Sequence, residues 1–308
     1  MGGRHAPHAR RRTATPDRFA PLSRGTVIDG AVQCKYHGLR FDGSGKCVMN
    51  PHGGALGPHL NVRGFPVVEH QDLIWIWMGD EAKADPALIP DISTGNPVID
   101  RRTRYNYLNT NYRHDILVDN LLDLSHADYL HAGSLTGGPC ERADMRDWEE
   151  DNNQVVIERI TYRQLPAPFS ASVGDMVDMK IRIRWFPGQV TKFYTAIFPA
   201  GGKVEDGIEF NFNHFITPES AHKAHYYMSN TRGFGPDDDA LDERFGALQR
   251  LAVDTEDGPM LSAVDERMGD TELMELHPAI LACDTGAMRV RRVMKRLLAE
   301  DGRQSVAA

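Results

Sequence analysis

Two groups of residues in this 308-residue chain have the types and spacing of metal ligands. The first is Cys34-Lys35-Tyr36-His37-Gly38. A thiolate and an imidazole three residues apart on a tight turn suit a mixed Cys/His [2Fe–2S] cluster, in which two His replace two of the usual Cys. Such a cluster takes four protein ligands, as two Cys-x-His or Cys-x-x-His pairs. One pair is visible here, so Cys34 and His37 are the candidate cluster-binding residues and they make half a set.

The second group runs Asn120-Leu-Leu-Asp123-Leu-Ser-His126-Ala-Asp128-Tyr129-Leu-His131. Two imidazoles and a carboxylate form a facial triad that holds iron or zinc and leaves positions open. Asp123 and His126 are i, i+3 and share a helical face. His126 and His131 are i, i+5, roughly 140° apart on an ideal helix. Both reach one ion only if the helix distorts or ends between them, and His131-Ala132-Gly133 offers such an ending. The competing reading is that these His satisfy a helix end. A carboxylate one turn before a ligating His, the usual orienting partner, favours the metal. The third ligand must come from elsewhere, and Thr255-Glu256-Asp257-Gly258-Pro259 is the candidate, with Asp257 first and Glu256 second. The competing reading there is that the acids start a helix through Met260, Leu261 and Val264, since acids favour helix N-termini. Spacing alone leaves both open. A zinc-dependent hydrolase built on His126, His131 and Asp257 is disfavoured by the β-rich motifs around Cys34.

The elements that must position these residues fall into an α+β pattern. Residues 1–18 carry almost nothing apolar and are expected to be disordered. From Gly25 to Asp80 the chain reads as strands. Thr26-Val27-Ile28 and Ala31-Val32-Gln33 flank Asp29-Gly30, a hairpin signal. Asp42-Gly43-Ser44-Gly45 marks a second turn, and Leu73–Met78 has the apolar run of a buried strand. A linker with Asp85-Pro86 follows. Beyond it, Asp115 to His131 has helical spacing. Ile181, Ile183 and Trp185 share one strand face, and Ile208, Phe210, Phe212, His214 and Ile216 share another. Asp237-Asp238-Asp239 opens a helix with Leu241, Phe245 and Leu248. The expected division is an N-terminal segment 1–18, a truncated β-rich domain 19–85 and a larger domain 86–308. Walls of an apolar pocket are expected from the stretches 181–186, 193–198 and 208–216, with His214 and Asn211 as polar anchors.

Bulk properties narrow the function. A net charge of −8 argues against a nucleic-acid partner. No apolar stretch has membrane-spanning length, and the Arg-rich start lacks the apolar core of a secretory signal. Cys34, Cys47, Cys140 and Cys283 have no disulfide-framework spacing, which fits a cytoplasmic protein. Cys47 reads as a small buried hydrophobe. Arg289, Arg291, Arg292, Lys295 and Arg296 lie on one helix and read as a solvated face, with docking of an acidic protein as the alternative.

As an ordered set these motifs resemble the oxygenase components of Rieske non-heme iron oxygenases, of the vanillate O-demethylase and dicamba monooxygenase type. The matching stretches are Phe19-Ala20-Pro21-Leu22-Ser23-x-Gly25, Cys34-x-Tyr36-His37-Gly38, Phe41-Asp42-x-x-Gly45-x-Cys47, Trp75-x-Trp77-Met78-Gly79, the Asn120–His131 motif, Glu256-Asp257 and Leu281-Ala282-Cys283-Asp284. The resemblance implies a Rieske [2Fe–2S] domain followed by a helix-grip catalytic domain with a central antiparallel sheet. It implies a non-heme Fe(II) held by His126, His131 and Asp257, with Asn120 and Asp123 as catalytic residues. Asp123 would link to a cluster-ligating His in a neighbouring subunit of a homotrimer. The implied activity is monooxygenation or O-demethylation of an aromatic acid or ether. No dinucleotide fingerprint is present, so electrons must come from a separate ferredoxin or flavin/iron–sulfur reductase, which alone uses NAD(P)H. One departure stands out. Where the family has Cys-Pro-His-Arg, this chain reads Thr15-Pro16-Asp17-Arg18. Thr15 offers no thiolate, and Asp17 is a harder ligand than imidazole. This raises two further expectations, a replaced natural start of the chain and a cluster-less homologue that binds iron and ligand without reductase-driven activity.

Overall fold

In the computed structural model, residues 9–11, 20–100, 102–188, 190–235 and 237–307 are described. Thr15, Asp17 and the rest of 12–19 lie outside them. The chain divides into two compact units, Met1–Asp91 and Ile92–Ala308, so the division falls a few residues beyond Asp85-Pro86.

The first unit holds two small antiparallel sheets. One is formed by β1 (Ala9–Arg11), β6 (Phe65–His70) and β7 (Leu73–Ile76), in the order β1-β6-β7. The other contains β2 (Thr26–Ile28), β3 (Ala31–Gln33), β4 (Arg40–Phe41) and β5 (Cys47–Met49) in sequence order. The β2–β3 hairpin turns at Asp29 and Gly30, both at positive φ (50° and 76°), the turn that the right-handed twist of the flanking strands prefers. Two expectations are corrected here. Ala9–Arg11 is a strand, paired with Phe65–Val67, because ladder pairing needs backbone groups and not apolar side chains. And β7 is not buried on both faces, since Ile74 is 57% exposed. It sits at a sheet edge with one neighbour, and its side chains alternate between packed and solvated. The core of the unit is Leu22, Cys34, Leu39, Phe41 and Cys47, where Cys47 is the small hydrophobe expected of it.

The second unit is a seven-stranded antiparallel sheet with helices packed against it. Its strands are β8 (Arg104–Thr110), β9 (Arg142–Glu150), β10 (Gln154–Gln164), β11 (Val177–Phe186), β12 (Val190–Pro199), β13 (Ile208–Ser220) and β14 (Lys223–Arg232). From β9 to β14 each strand pairs with its successor, and β8 closes the far edge beside β14. The helices are the one-turn α1 (Pro97–Asp100), α2 (His114–Leu122), the short α3 (Ala127–Leu130), α4 (Asp239–Arg250), α5 (Gly258–Met268) and α6 (Thr285–Ala307). Leu117 and Leu122 of α2, Leu261 of α5 and Val290 and Val293 of α6 meet Ile157, Ile183 and Trp185 of the sheet. Each such fully buried side chain contributes roughly 1.5–3 kcal/mol. A second cluster joins Met179, Ile197 and Phe210 to Phe245 of α4. The basic run on α6 is largely used inside the fold. Arg289 bonds Asp147 of β9, Arg291 bonds Asp119 of α2, and Arg296 bonds Glu149 of β9. Arg292, Lys295 and Arg296 are the exposed members.

Candidate metal centre

The helix expected over Asp115–His131 breaks earlier than its spacing suggested. α2 ends at Leu122, and Asp123 leaves the helix at φ −88°, ψ 99°. Asp123 and His126 therefore do not share a helical turn. Asp123 instead starts the next one, its Oδ1 accepting from Ser125 N (2.8 Å) and Ser125 Oγ (2.6 Å), the local side-chain bonding that suits Asp to turns. His126 then precedes α3 and His131 follows it, so both imidazoles come off the ends of a single helical turn.

That turn is pinned from the sheet. Asp128, at its middle, is 5% exposed and takes Arg159 of β10 on both oxygens, at 3.0 and 2.5 Å. Arg159 also donates to Leu124 O (2.9 Å), and Gln164 Nε2 donates to Asp128 Oδ1 (3.2 Å). A buried charge pair this well bonded fixes geometry more surely than it adds stability. Neither Arg159 nor Gln164 carried a signal in sequence, because nothing local to a strand residue marks the helix it will brace.

The third donor comes from a π-helical segment, Leu251–Asp257, between α4 and α5. Gly258 N–H bonds Val253 O, the i+5 closure of such a turn. A Cβ at Gly258 would lie 2.8 Å from that same oxygen, so only glycine fits. The segment separates the two acids that spacing left open. Asp257 Oδ1 stands 3.3 Å from His131 Nε2 and 3.6 Å from His126 Nε2, and the two Nε2 atoms are 3.3 Å apart. A triangle of that size has a point about 2 Å from all three atoms, the bond length of first-row metals to nitrogen and oxygen. Glu256 is not a donor to it. Its Oε2 lies 2.7 Å from His131 Nδ1 and accepts from Ser134 Oγ at 2.9 Å. It thus holds the ring proton on Nδ1 and leaves Nε2 for a metal.

Among the described residues, His126, His131 and Asp257 are the one cluster of three close His, Cys, Asp or Glu donors. The donor set of two imidazoles and one carboxylate fits non-heme iron with open positions. His126 Nδ1 is buried without a hydrogen bond, with Asp123 Oδ2 at 3.7 Å. Burial pushes the Asp123 carboxyl up, but the imidazole of His126 and the Ser125 donors outweigh it and hold it at about 2. Burial likewise lowers His131, but Asp257 and Glu256 outweigh it and raise it above the ordinary histidine value. Asn120 Nδ2 donates to Asp257 Oδ1 (3.1 Å) and so orients the carboxylate.

A cavity opens beside the three donors, enclosing about 880 Å³ of empty space that includes its solvent mouth. Ile181, Phe193, Phe210, Phe212 and His214 line it as expected, joined by Phe169, Met179, Tyr226 and Met228, which sequence reasoning missed. Two expectations fail, the first by strand parity and the second by position along the strand. Asn211 lies on the opposite side of β13 from His214 and does not line the cavity. Ile183 and Trp185 point into the core beneath the helices. His214 Nδ1 lies 2.6 Å from Tyr226 Oη. The fully buried phenol is pushed well up, so it stays protonated and donates. His214 is pushed down to about 3 by burial and is neutral, with its remaining proton on Nε2.

In the first unit, Cys34 and His37 sit at the ends of one turn between β3 and β4. Cys34 is 3% exposed. Its Sγ accepts from Tyr36 N (3.4 Å) and its carbonyl from Gly38 N (3.0 Å), and His52 Nε2 lies 2.9 Å from His37 O. The turn is formed and its two donors have cluster chemistry. Where the family pattern has the other pair, this chain has Thr15 and Asp17, so the residues fit half of a four-ligand [2Fe–2S] set.

Residues 16–66 match the family described as the Rieske [2Fe-2S] domain, and 109–300 the vanillate O-demethylase oxygenase C-terminal domain. The chain is 39% identical over 287 residues to the oxygenase component of dicamba O-demethylase from Stenotrophomonas maltophilia, covering 92% of this chain and 84% of that one. It is 36% identical over 307 residues to the oxygenase component of chloroacetanilide N-alkylformylase from Rhizorhabdus wittichii, covering 95% and 85%. The crystal structure of dicamba monooxygenase bound to dicamba superposes with a TM-score of 0.83 at 37% identity, covering 94% of this chain and 86% of that one. The family's cofactors are a [2Fe–2S] cluster and a mononuclear non-heme iron, and the chain belongs to it: the Rieske non-heme iron oxygenases, as an oxygenase component of the monooxygenase and O-demethylase class that acts on aromatic compounds.

Proposed function

We propose that this chain oxidises an aromatic acid or ether at an iron held by His126, His131 and Asp257, with electrons supplied by a separate ferredoxin or flavin/iron–sulfur reductase that alone uses NAD(P)H. The single observation that carries the reading is the opening of an aromatic-lined cavity directly onto those three donor atoms. A bound ferrous ion supplies the redox chemistry with O₂ that organic side chains lack. The chain's own residues do the rest. Glu256 keeps the His131 ring turned toward the metal, and Asn120 does the same for Asp257. Phe193, Phe210 and Phe212 exclude water and receive a ring, while His214 Nε2–H offers one hydrogen bond. Asp123, partly exposed beside His126, suits contact with a neighbouring subunit of a cytoplasmic homotrimer.

The Thr15 and Asp17 positions favour a second reading, in which the chain binds iron and ligand but holds no cluster. Iron and acid-labile sulfide per chain, measured on anaerobically purified protein, separate the two. About three irons with about two sulfides supports the reductase-driven oxygenase and requires ligands beyond Cys34 and His37. About one iron without sulfide supports the second reading. Absence of iron sinks both.

A further inference from the structure

One side chain of the cavity wall has its polar group oriented from outside the cavity. Gln249, next to the end of α4, lines the cavity and is 5% exposed. Its amide ends a chain of bonds that starts at the surface. Arg250 Nη1 donates to Asn106 Oδ1 of β8 at 2.9 Å. A guanidinium accepts nothing, so the Asn106 atom facing it is the oxygen, and the amide nitrogen faces the other way. That nitrogen donates to Gln249 Oε1 at 2.7 Å, and Asn230 Nδ2 of β14 donates to the same oxygen at 3.0 Å. Two donors fill both lone pairs of Oε1. The Gln249 amide therefore cannot turn over, and Nε2 is the one polar atom of the side chain with capacity left.

Nε2 carries two hydrogens. One is directed to Ser229 O at 3.4 Å, a long bond. The other has no acceptor among the described residues. A buried amide hydrogen without an acceptor costs free energy, and folded proteins rarely leave one so. The other polar side chains of the cavity do not act in this way. Asn120 donates to Asp257, and Thr136 Oγ1 donates to Ala127 O at 2.9 Å. The Thr195 hydroxyl can donate or accept. His214 is engaged by Tyr226 on one nitrogen and offers the other. Gln249 is thus a donor of fixed sense on α4, separate from His214 on β13.

We infer that Gln249 Nε2–H is a specificity-determining contact of this cavity and takes an oxygen acceptor, carboxylate, carbonyl or ether, on an aromatic ligand. The inference rests on the cavity being the substrate site. The test is anaerobic calorimetric titration of the Fe(II)-loaded full chain, wild type beside Gln249→Met. Each positional isomer of methoxybenzoate is paired with the ethylbenzoate, which lacks the ether oxygen, and with the methoxytoluene, which lacks the carboxylate. Wild-type protein should prefer the oxygen-bearing member in at least one pair. Gln249→Met should shrink that preference roughly tenfold, the effect of one hydrogen bond withdrawn from a ligand oxygen. Affinity for the member without that oxygen should change little. Weakening of both members alike, or an unchanged preference, overturns the inference and leaves the cavity an aromatic site. Wild-type binding without preference in any pair overturns it as well. Binding of no probe at all removes the substrate-site reading and the inference with it. Should the variant not fold, the crystal structure of the wild-type complex with the tightest probe decides. A ligand oxygen about 2.7–3.2 Å from Gln249 Nε2 is expected, and a ligand that leaves that nitrogen without an acceptor overturns the inference.

Discussion

The Cys34–Gly38 turn and the His126/His131/Asp257 centre both present metal-binding side chains, and they are built in opposite ways. The turn is local. Its two donors lie three residues apart, and hydrogen bonds from nearby residues, the farthest from His52, hold its shape. The centre is assembled over long range. Its donors come from the two ends of α3 and from a π-helical segment far along the chain, and a strand residue, Arg159, fixes the turn between the histidines. A local site can keep its form when half of its donor set is changed, because little else depends on it. A long-range site cannot, because each donor is held by groups that also hold the fold. Among the described residues there is thus one complete donor set and one half set, each in a well-formed setting.

The contrast can be broken most directly at the donors. Asp257→Ala should take iron at this centre from about one per chain to none, because two imidazoles alone do not complete the triad; metal analysis of purified protein checks it, and retained iron would show that Asp257 is not a donor. Next in size is Arg159→Met, which leaves Asp128 buried and unpaired. It should cost about 3–5 kcal/mol in urea unfolding and loosen the iron site as well. A loss under 1 kcal/mol would mean that the turn holds itself, as the Cys34 turn does. Glu256→Gln keeps the fold and weakens His131 as a ligand, so iron affinity should fall roughly 10- to 100-fold in chelator competition.

The titration of His131 sharpens the same contrast. Its raised pKa means that in metal-free protein its bound proton adds stability below the ordinary histidine range. That stability is lost as pH rises through the raised value. Iron must displace the proton, so apparent affinity should climb about tenfold per pH unit up to that pKa and level off above it. A flat profile would place the proton elsewhere. The smallest effect is expected at the local site. Gly38 has φ +75°, and a Cβ there would meet Pro51 Cγ at 3.2 Å. Gly38→Ala should cost about 1–2 kcal/mol in calorimetry of the first unit's transition and leave iron at the His126 centre unchanged.

How much of this was legible in sequence follows the same local and long-range division. The β2–β3 hairpin was readable because Asp29-Gly30 encodes its own turn. The Cys34–His37 pair was readable for the same reason. His126 and His131 were readable as donors, but the break at Asp123 was not, because an Asx turn competing with a helix leaves no periodic trace. Asp257 and Glu256 are neighbours in sequence, and only the π segment's extra residue per turn decides which one reaches the metal. Asn211 was misjudged against a rule the sequence does carry, since strand alternation sets it opposite His214. Arg289, Arg291 and Arg296 read as a solvated face because their partners lie well over a hundred residues away.

The π segment has one more consequence, for how the helical run around it is anchored. Residues 239–268 form one continuous helical run whose two ends answer to different cores: Phe245 packs with Phe210, whereas Leu261 and Met268 pack with the α2 and α6 side chains. The π segment Leu251–Asp257 takes one residue more into its turn than an α-helix would, so both flanks keep their packing and Asp257 stands at the end of the widened turn. The carboxylate that completes the triad thus sits on the seam between two packed flanks, and the shape of the helix and the occupancy of the metal site become a single constraint.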